Sequence, residues 1–327
     1  MTAPLRIGVL GASRIAADAI VAPAQELGYR LVAVAARDRD RAEAFADEFG
    51  VERVLDSYQD VLDDPDVEVV YNPLANSLHG EWNLAAVRAG KAVLSEKPFA
   101  RNAVEAREVA DAARTAGVPV LEGFHYPFHP ITVRLWQLLG TLGPLHHVEI
   151  GMSMPTPPHD DPRWSYDLAG GALMDLGCYA IHVMRSVGRD FARGEPTVTD
   201  AAARVRDPQV DEACTVRFAF PTGATGTASV SMVGERFDFR VRVTGDEGAV
   251  EVHDFIGPHR DDRITVTAAD GSQTVEHLGT RSTYTYQLEA YARALRTSAP
   301  LPIGLDDAVA NMEMIDAAYR AAGLQLR

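Results

Sequence analysis

A glutamate and a lysine stand together at the end of a predicted strand, in the stretch Leu94-Ser95-Glu96-Lys97-Pro98. Proline fixes its own φ and disfavours the helical region for the residue before it, so we expect the strand to end at Lys97. A cation at the carboxyl end of a parallel strand lies where open α/β sheets bind their ligands. A solvated glutamate–lysine ion pair is the alternative, and the other motifs have to decide between the two.

A second motif, Gly11-Ala12-Ser13-Arg14-Ile15-Ala16, follows one predicted strand and opens a predicted helix. This is the position of the dinucleotide fingerprint G-x-G-x-x-G/A, in which the first glycine makes the tight turn and the last small residue packs on the strand. Gly11 and Ala16 fit these roles. Ser13 replaces the middle glycine, so the pyrophosphate must shift slightly or accept a hydrogen bond from the hydroxyl. A turn without a ligand is the alternative.

Two arginines at the end of the second predicted strand bear on the choice between NAD and NADP. An NAD site needs an acidic residue for the ribose 2′-OH about 20 residues after the fingerprint. Arg37 stands there instead, Arg41 lies one helical turn further on, and guanidinium groups suit a 2′-phosphate. Asp38 is the counter-signal, and an exposed helix start of mixed charge is the alternative. We therefore predict NADP(H) in preference to NAD(H).

A polar face is predicted on a helix of the second half, where Asp175, Tyr179 and His182 stand at positions i, i+4 and i+7. Three polar groups on a largely apolar helix are costly to bury without partners, which suggests a binding face. The alternatives are a core tyrosine with a satisfied hydroxyl and a core histidine with a satisfied ring. Gly177 on this helix would let another group approach the backbone closely.

Three more segments supply candidate contacts. The segment 71–79 ends a strand with turn formers at the edge where a cofactor would bind, although Asn76 or Ser77 would serve equally well as a helix N-cap. The segment 123–130 is an aromatic, proline-broken crossing, and the loop 155–168 is long enough to be functional. The candidates are Leu74, Asn76 and His79 for the cofactor, and His125 and Trp164 for the substrate.

The elements that position these residues change character along the chain. Apolar strands alternate with helices of ten or more residues up to residue 122, which indicates an α/β fold with a parallel, doubly wound sheet. Pro23 predicts a kink or early break in the first helix, and Gly188 predicts the end of the helix that begins at Ala172. After residue 201, short connections between strands indicate antiparallel pairing. We place the domains at 1–122 and 123–327, with the C-terminal helix packing back on the first.

Composition excludes several classes of protein. The chain has 327 residues, 46% of them hydrophobic, and a formal net charge of −15, which argues against nucleic acid or an anionic membrane as a partner. Two cysteines make neither a disulfide framework nor a metal-ligand pattern, so we expect no metal and a reducing cytoplasm. A strand begins within a few residues of Met1, which leaves no room for a signal peptide, and no apolar run is long enough for a membrane span.

Together these motifs resemble those of one family, the Gfo/Idh/MocA oxidoreductases, named for glucose–fructose oxidoreductase and inositol dehydrogenase. The resemblance covers essentially the whole chain. It rests on the glycine turn, on Glu96-Lys97-Pro98, on Glu122-Gly123-Phe124 with Phe128-His129-Pro130, and on Gly170-Gly171-Ala172-Leu173-Met174-Asp175-Leu176-Gly177-Cys178-Tyr179. It implies a Rossmann domain followed by an α+β domain with an open-faced, mostly antiparallel sheet, through which a homodimer or homotetramer is expected to form.

The resemblance also implies roles for single residues. Lys97 is the catalytic lysine, Glu96 contacts the nicotinamide end, and Asp175 and Tyr179 face the substrate. A tyrosine at position 179 is similar to the branch with glucose–fructose oxidoreductase, dimeric dihydrodiol dehydrogenase and certain sugar ketoreductases, which generally use NADP. Pro127 stands where that branch usually has an arginine, and Arg163 is the candidate to replace it.

The expected reaction is NADP-dependent hydride transfer to or from a secondary alcohol carbon of a sugar, sugar derivative or cyclic diol. Tyr179 would pass the hydroxyl proton, because the ammonium of Lys97 lowers the pKa of a nearby phenol. Asp175 would orient the lysine or a substrate hydroxyl, and His182 would contact the substrate. The alternatives are a non-catalytic NADP-binding regulator or scaffold, and an enzyme that retains its cofactor while it oxidises one sugar and reduces another.

Overall fold

The computed structural model describes residues 3–207 and 209–327. The strands are β1 (Arg6–Leu10), β2 (Arg30–Ala35), β3 (Val69–Asn72), β4 (Ala92–Ser95), β5 (Val120–Glu122), β6 (Leu145–Pro155), β7 (Thr197–Asp207), β8 (Val210–Ala219), β9 (Thr225–Gly234), β10 (Asp238–Gly245), β11 (Gly248–Val252), β12 (Arg263–Ala268) and β13 (Gln273–His277). The α-helices are α1 (Ala22–Leu27), α2 (Arg39–Phe49), α3 (Tyr58–Asp63), α4 (Asn76–Arg88), α5 (Ala103–Ala116), α6 (Pro130–Leu139), α7 (Cys178–Phe191), α8 (Thr283–Thr297) and α9 (Leu305–Ala321).

The chain divides into two compact units. The first contains the residues up to His125 together with Tyr284–Val309, and the second contains Tyr126–Thr283 together with Ala310–Arg327. The domain division at residues 122 and 123 stays a prediction. In the first unit, α8 packs on the parallel sheet, because the Tyr291 hydroxyl donates to the carbonyl oxygens of Val93 (2.8 Å) and Pro119 (3.1 Å).

The first unit has a five-stranded parallel sheet in the order β2-β1-β3-β4-β5. Ile7 and Val9 on β1 and Val69 and Val70 on β3 are fully buried, as expected for a sheet covered on both faces. The chain leaves β1 toward β2 and later returns to β3 on the other side of β1. Between β1 and β3 the sheet therefore has the switch point where doubly wound folds bind ligands.

The helix after the glycine turn passes through Pro23 instead of breaking there. A wide π-helical turn, Ala17–Val21, comes directly before α1, and the helix ends at Gly28, whose φ of 70° makes a left-handed cap. Proline has no N–H to donate, so the regular i to i−4 bonding is interrupted at this point and a wide turn accommodates the change.

The second unit has an eight-stranded sheet in the order β13-β12-β11-β10-β6-β9-β8-β7. Neighbouring strands are antiparallel except β6 and β9, which are parallel. On the inner face Val148, Ile150 and Val241 are fully buried, whereas Glu149 and Arg240 on the outer face are exposed. The predicted antiparallel character is confirmed, and the exception is a pair that no short connection joins, because β7 and β8 lie between β6 and β9 in the chain.

The helix that carries Asp175 and Tyr179 is longer than predicted. It starts with a second wide turn, Leu173–Gly177, and α7 continues to Phe191, so the prediction that it ends at Gly188 is wrong. A Cβ on Gly188 would lie 2.7 Å from the Gly194 carbonyl oxygen and 2.8 Å from Pro196. Gly188 is therefore a point of close packing inside the helix and not a cap.

Candidate active site

The glycine turn contacts the turn that follows β3. Gly11 has a φ of +90°, and its N–H donates to the Ala35 carbonyl oxygen on β2 (2.6 Å). A Cβ at Gly11 would lie 3.0 Å from a methyl group of Leu74 and 3.8 Å from the Tyr58 hydroxyl. Only glycine fits this backbone conformation without strain, and it brings the fingerprint turn against Leu74 at the switch point.

The Ser13 hydroxyl oxygen in this turn is buried and has no hydrogen-bond partner. Ala12 and Ser13 are half-buried, while Arg14 and Ile15 are exposed. A buried hydroxyl without a partner costs free energy, and a phosphate oxygen of a dinucleotide would satisfy it. The residues of the turn therefore fit the cofactor that the sequence predicts, with Ser13 as the polar contact.

The basic residues after β2 have separate tasks. Arg41 donates from Nη2 to the Ala12 carbonyl oxygen (2.8 Å), which joins α2 to the glycine turn. Asp38 is the N-cap of α2 and accepts from the Arg41 backbone N–H (3.3 Å). Arg39 pairs with Glu43 and Asp56. Arg37 is exposed and has no carboxylate partner among the described residues, so its charge is available to an anion.

Tyr58 is a residue of this site that the sequence did not single out. It begins α3, its ring packs edge-on against Trp82 (5.0 Å between centroids), and its hydroxyl faces Gly11. Burial raises the pKa of Tyr58, and the nearby Arg37 and Arg41 partly offset that rise. Its hydroxyl thus lies among the residues predicted to bind the cofactor. An aromatic residue at a helix start is too common to mark such a position.

Glu96 is held in place at the carboxyl end of β4. It is 7% exposed and accepts a hydrogen bond from the Tyr71 hydroxyl (3.0 Å). Burial and the neighbouring Glu96 hold the pKa of Tyr71 well above its usual value, so the hydroxyl stays a donor. A Cβ at Gly123 would lie 2.8 Å from the Ser95 carbonyl oxygen and 3.2 Å from the Glu96 Cα. Glycine at position 123 lets the two segments meet.

His79 connects the turn after β3 with the segment that carries Lys97. Its Nδ1 lies 2.7 Å from the Pro98 carbonyl oxygen, and its Nε2 lies 2.9 Å from the Leu74 carbonyl oxygen. Burial is the main cause that lowers the pKa of His79 to about 4, and the charge of the half-buried Lys97 adds to the effect. The structure thus brings together Leu74, His79 and Lys97, with His79 buried between them.

Two smaller predictions concern the same unit. The N-cap interpretation of Asn76 and Ser77 is wrong, because Ala75 is the N-cap of α4 and makes no side-chain cap. Asn76 is the first residue of the helix and half-buried. His125 is 1% exposed, and its ring stacks on Tyr284 with 3.9 Å between the centroids. Tyr284 is the second residue of α8 and belongs to no sequence motif that predicts this contact.

In the second unit, Asp175 forms an ion pair with Arg163. The Arg163 Nε lies 2.8 Å from the Asp175 Oδ2, and its Nη1 lies 3.2 Å from the Asp161 Oδ1. The charge of Asp175 is the largest cause that raises the pKa of Arg163 above its ordinary value. Arg163 is one-third exposed, so the loop of residues 155–168 presents a guanidinium group that two carboxylates hold.

Tyr179 and His182 lie around Tyr126, a residue that the sequence placed only in the aromatic crossing. The Tyr126 hydroxyl is 2.5 Å from the His182 Nδ1, and the rings of Tyr126 and Tyr179 are 6.3 Å apart. All three are at least 96% buried. Asp175 lies in the wide turn Leu173–Gly177 and bonds Arg163, and the single face predicted for Asp175, Tyr179 and His182 stays a prediction.

Trp164 contacts β7 and its own loop, and Gly177 packs within its own helix. Trp164 is 8% exposed, the Arg206 guanidinium lies 4.4 Å from its ring, and its indole N–H donates to the Pro157 carbonyl oxygen (3.4 Å). A Cβ at Gly177 would lie 2.6 Å from the Leu173 side chain, so Gly177 makes room for a neighbour on its own helix. The substrate-binding roles of His125, Trp164 and His182 stay predictions.

In residues 3–207 and 209–327, no group of three or more His, Cys, Asp or Glu side chains is arranged to hold a metal ion. Within the same part, every helix is too short or too polar to cross a membrane.

Comparison with known proteins decides the family. The model for an oxidoreductase family with an NAD-binding Rossmann fold, GFO/IDH/MocA, matches residues 5–124, and the GFO/IDH/MocA C-terminal domain matches residues 133–251. D-xylose 1-dehydrogenase (NADP(+)) 2 of Haloferax volcanii is 34% identical over 323 residues, 97% of each chain. The chain belongs to the GFO/IDH/MocA family. The predicted family, fold class and oxidoreductase activity are confirmed at this level.

Two more relatives bear on the branch. Trans-1,2-dihydrobenzene-1,2-diol dehydrogenase of Mus musculus is 32% identical over 260 residues, 78% of this chain and 76% of that protein. A 3-ketoreductase from Actinomadura kijaniata, solved in complex with NADP and TDP-benzene, has a TM-score of 0.88 and 26% identity over 98% of both chains. A diol dehydrogenase and a ketoreductase are both among the enzymes of the branch that Tyr179 indicates.

Proposed function

We propose that this GFO/IDH/MocA protein transfers a hydride between NADP(H) and a secondary alcohol or ketone carbon of a sugar, sugar derivative or cyclic diol. The observation that carries the proposal is the arrangement in the first unit. Lys97 follows the buried Glu96 at the carboxyl end of β4, and His79 joins its segment to Leu74, which touches the fingerprint turn at Gly11. The printed names of the relatives, a xylose dehydrogenase and a diol dehydrogenase, support the substrate class.

NADP(H) is the proposed cofactor, in preference to NAD(H). When bound, it supplies or accepts the hydride. Ser13 would donate its free hydroxyl to a phosphate oxygen, and the unpaired charge of Arg37 suits a 2′-phosphate. Arg41 adds positive charge next to the turn. Relatives named for NADP(+) or solved with NADP support this preference.

The chemical roles are assigned to the residues that the sequence motifs indicate. Lys97 carries a positive charge that stabilises negative charge developing on the carbonyl oxygen. Tyr179 gives or takes the hydroxyl proton as general acid or base. Asp175 orients a substrate hydroxyl or the lysine, and Glu96 contacts the nicotinamide end. His125, Trp164 and His182 line the substrate side, with His182 acting through Tyr126.

Replacement of Lys97 and Tyr179 tests these roles. Lys97→Met should lower kcat by about 100- to 1,000-fold, because removal of one group that stabilises a developing oxyanion costs that much in other enzymes. Its Kd for NADPH should stay within about three-fold of wild type. Tyr179→Phe should lower kcat by about 100-fold or more, the usual contribution of a general acid–base. NADPH absorbance with a panel of keto-sugars, aldoses and cyclic diols measures turnover, and fluorescence titration measures binding.

The double variant tests whether the two residues act in one step. Its loss of kcat should be far smaller than the product of the two single losses, because residues that act as a unit are not additive. Turnover of Lys97→Met at the wild-type rate would rule out the lysine's role. Tight NADPH binding by wild type with no turnover across the whole panel would favour a regulator, and absorbance of bound nucleotide after purification would indicate a retained cofactor.

The assembly and the domain division are also proposals. We infer a homodimer or homotetramer that forms through the outer face of the eight-stranded sheet, a cytoplasmic location, and a division into a cofactor domain and a substrate domain at residue 122. Light scattering after size exclusion measures the oligomeric state. Arg240→Glu together with Arg242→Glu, on the exposed face of β10, should dissociate an assembly formed there, and an unchanged mass would place the contact elsewhere.

A further inference from the structure

The turn before the Asp175 helix is packed too tightly for any side chain. Gly171 has a φ of +125°, and a Cβ there would lie 2.2 Å from the Asp211 Oδ1. A Cβ at Gly170 would lie 2.3 Å from the Arg163 carbonyl oxygen. That carbonyl oxygen also accepts the Gly171 N–H (3.0 Å). The two glycines therefore fix the backbone of Arg163 on one side and touch Asp211 on the other.

Asp211 is a fully buried carboxylate on β8 that receives three donors. Its Oδ2 accepts the Leu173 backbone N–H (2.6 Å), and its Oδ1 accepts the Tyr319 hydroxyl (3.1 Å) and the Arg327 Nη2 (2.9 Å). Leu173 opens the wide turn that contains Asp175. The carboxylate thus holds the first turn of the helix from the sheet side.

Arg327 completes this arrangement. Its side chain is fully buried, its Nε donates to the Gly170 carbonyl oxygen (2.9 Å), and its guanidinium lies over the rings of Tyr319 (4.3 Å) and Tyr166 (5.1 Å). Burying an ion pair costs much of what its attraction returns, so such a pair contributes little net stability. Its best-supported use is to select one arrangement of the groups around it.

We propose that Asp211 and Arg327 are positioning residues for the substrate site, because they hold the Gly170-Gly171 turn and through it keep Arg163 against Asp175. The connection is continuous. Arg327 bonds the carbonyl of Gly170, Gly171 bonds the carbonyl of Arg163, and the Arg163 guanidinium bonds Asp175. The proposal rests on the substrate-side role of Asp175 in the proposed function. Asp211 and Arg327 were not candidates from the sequence, whereas Gly170 and Gly171 belong to the motif that carries the family resemblance.

The test compares Arg327→Met with Arg327→Lys and with the control Arg320→Met, which removes an exposed arginine of α9 paired only loosely with Asp316 (3.8 Å). Arg327→Met should lower kcat by about 10-fold or more, measured with the compound of the panel that wild type turns over fastest. The Kd for NADPH should stay unchanged. Arg327→Ala leaves room for a small guanidinium, so ethylguanidinium at millimolar concentration should restore part of the kcat lost in that variant. The kcat of Arg327→Lys should lie between those of wild type and Arg327→Met, and the kcat of Arg320→Met should equal that of wild type.

Hydrogen–deuterium exchange gives a readout that needs no turnover. Peptides covering residues 163–175 should exchange at least about 10-fold faster in Arg327→Met, because the Gly170 carbonyl oxygen loses its donor and Asp211, which accepts the Leu173 N–H, loses the guanidinium that holds it. If Arg327→Met does not fold, Tyr319→Phe removes a single bond to Asp211 and should give a smaller change of the same kind. A folded Arg327→Met with wild-type kcat and wild-type exchange overturns the proposal, as does a lowered Tm with kcat intact. Absence of turnover in wild type would contradict the proposed function alone, while the exchange result still decides this proposal.

Discussion

Arg37 and its neighbours show how similar side chains differ in what they can bind. Arg39 forms ion pairs with Glu43 and Asp56, whereas Arg37 has no carboxylate partner in the described part of the chain. Asp38, which in the sequence argued for NAD, serves as a helix N-cap and so is accounted for by local structure. The sequence signal for NADP is therefore stronger than the mixed charges of this segment suggest.

Arg37→Gln should weaken the binding of NADPH and spare that of NADH. Loss of a charge-assisted hydrogen bond at an exposed site corresponds to about a 10-fold rise in Kd for NADPH. The Kd for NADH should change less than about two-fold. Arg39→Gln is the matched control, since it removes a nearby arginine that is already paired. Fluorescence titration with both nucleotides measures the effect, and equal losses for NADPH and NADH would contradict a 2′-phosphate contact.

His79 makes stability depend on pH. Its imidazole has an ordinary pKa of 6.5 and a pKa of about 4 in the folded protein. Below pH 6.5 His79 becomes protonated in the unfolded chain, whereas in the folded protein it stays neutral down to about pH 4. Stability is therefore complete above pH 6.5 and falls as the pH drops toward 4, by as much as about 3 kcal/mol for this group.

The experiment is a Tm measurement from pH 7 to pH 5. The Tm of wild type should fall as the pH is lowered over this range. The Tm of His79→Gln should fall less, whatever its value at pH 7, because glutamine does not titrate. His159→Gln, at an exposed position, should follow the wild-type slope. If His79→Gln falls as steeply as wild type, the histidine is not the source of the pH dependence.

At the scale of single elements, each unit has a helix with a wide turn, Ala17–Val21 in the first unit and Leu173–Gly177 in the second. The first lies in the helix after the fingerprint, and the second contains Asp175. Hydrophobic spacing in a sequence assumes 3.6 residues per turn, so it does not register a turn with one residue more. Asp175 bonds Arg163, Tyr179 and His182 lie around Tyr126, and the single face predicted for the three stays a prediction.

Gly188 offers a test of packing against helix propensity. Alanine is favoured over glycine inside a helix by about 1 kcal/mol, so Gly188→Ala would be stabilising if propensity alone decided. The new Cβ would however lie within 2.8 Å of Gly194 and Pro196, and overpacking of this kind costs about 1–3 kcal/mol. We expect a lower Tm for Gly188→Ala and an unchanged Tm for the control Gly304→Ala, which meets no atom within 4 Å. A rise in Tm for Gly188→Ala would contradict the packing argument.

At the scale of the whole molecule, the formal charge of −15 repels an anionic cofactor, so the cofactor has to be bound by a local group of positive and hydrogen-bonding side chains. The residues proposed to supply that local complement are Arg37, Ser13 and Arg41. In the described part of the chain Arg37 has no carboxylate partner and the Ser13 hydroxyl oxygen has no hydrogen-bond partner, and Arg41 lies beside the turn. A ligand that binds only the folded first unit should therefore stabilise that unit specifically.

NADPH at one hundred times its Kd should add about 2.7 kcal/mol to the stability of the folded state. For a unit of this size the expected rise in the Tm of the first unit is about 5–10 °C. Differential scanning calorimetry with and without NADPH measures it, with Arg37→Gln at the same NADPH concentration expected to rise less. An unchanged Tm at saturating NADPH would contradict selective binding to the folded protein.

The sequence by itself determined the features that local patterns encode. Alternating strands and helices, left-handed glycine caps such as Gly28 and Gly50, and the ends of β1 and β4 follow from side-chain periodicity and backbone freedom, which act over a few residues. The motifs at Gly11, Glu96-Lys97 and Asp175 through Tyr179 were sufficient to identify the family, because residue types at fixed spacing carry the chemistry.

Only the tertiary structure decided which side chains are partners. Tyr71 with Glu96, Tyr126 with His182, and Arg327 with Asp211 are separated by 25, 56 and 116 residues, and no spacing rule predicts such pairs. The parallel pairing of β6 with β9 and the room that Gly123 and Gly188 provide also depend on distant segments. Packing decides these matters because burial and hydrogen bonding are satisfied in three dimensions, where sequence distance has no meaning.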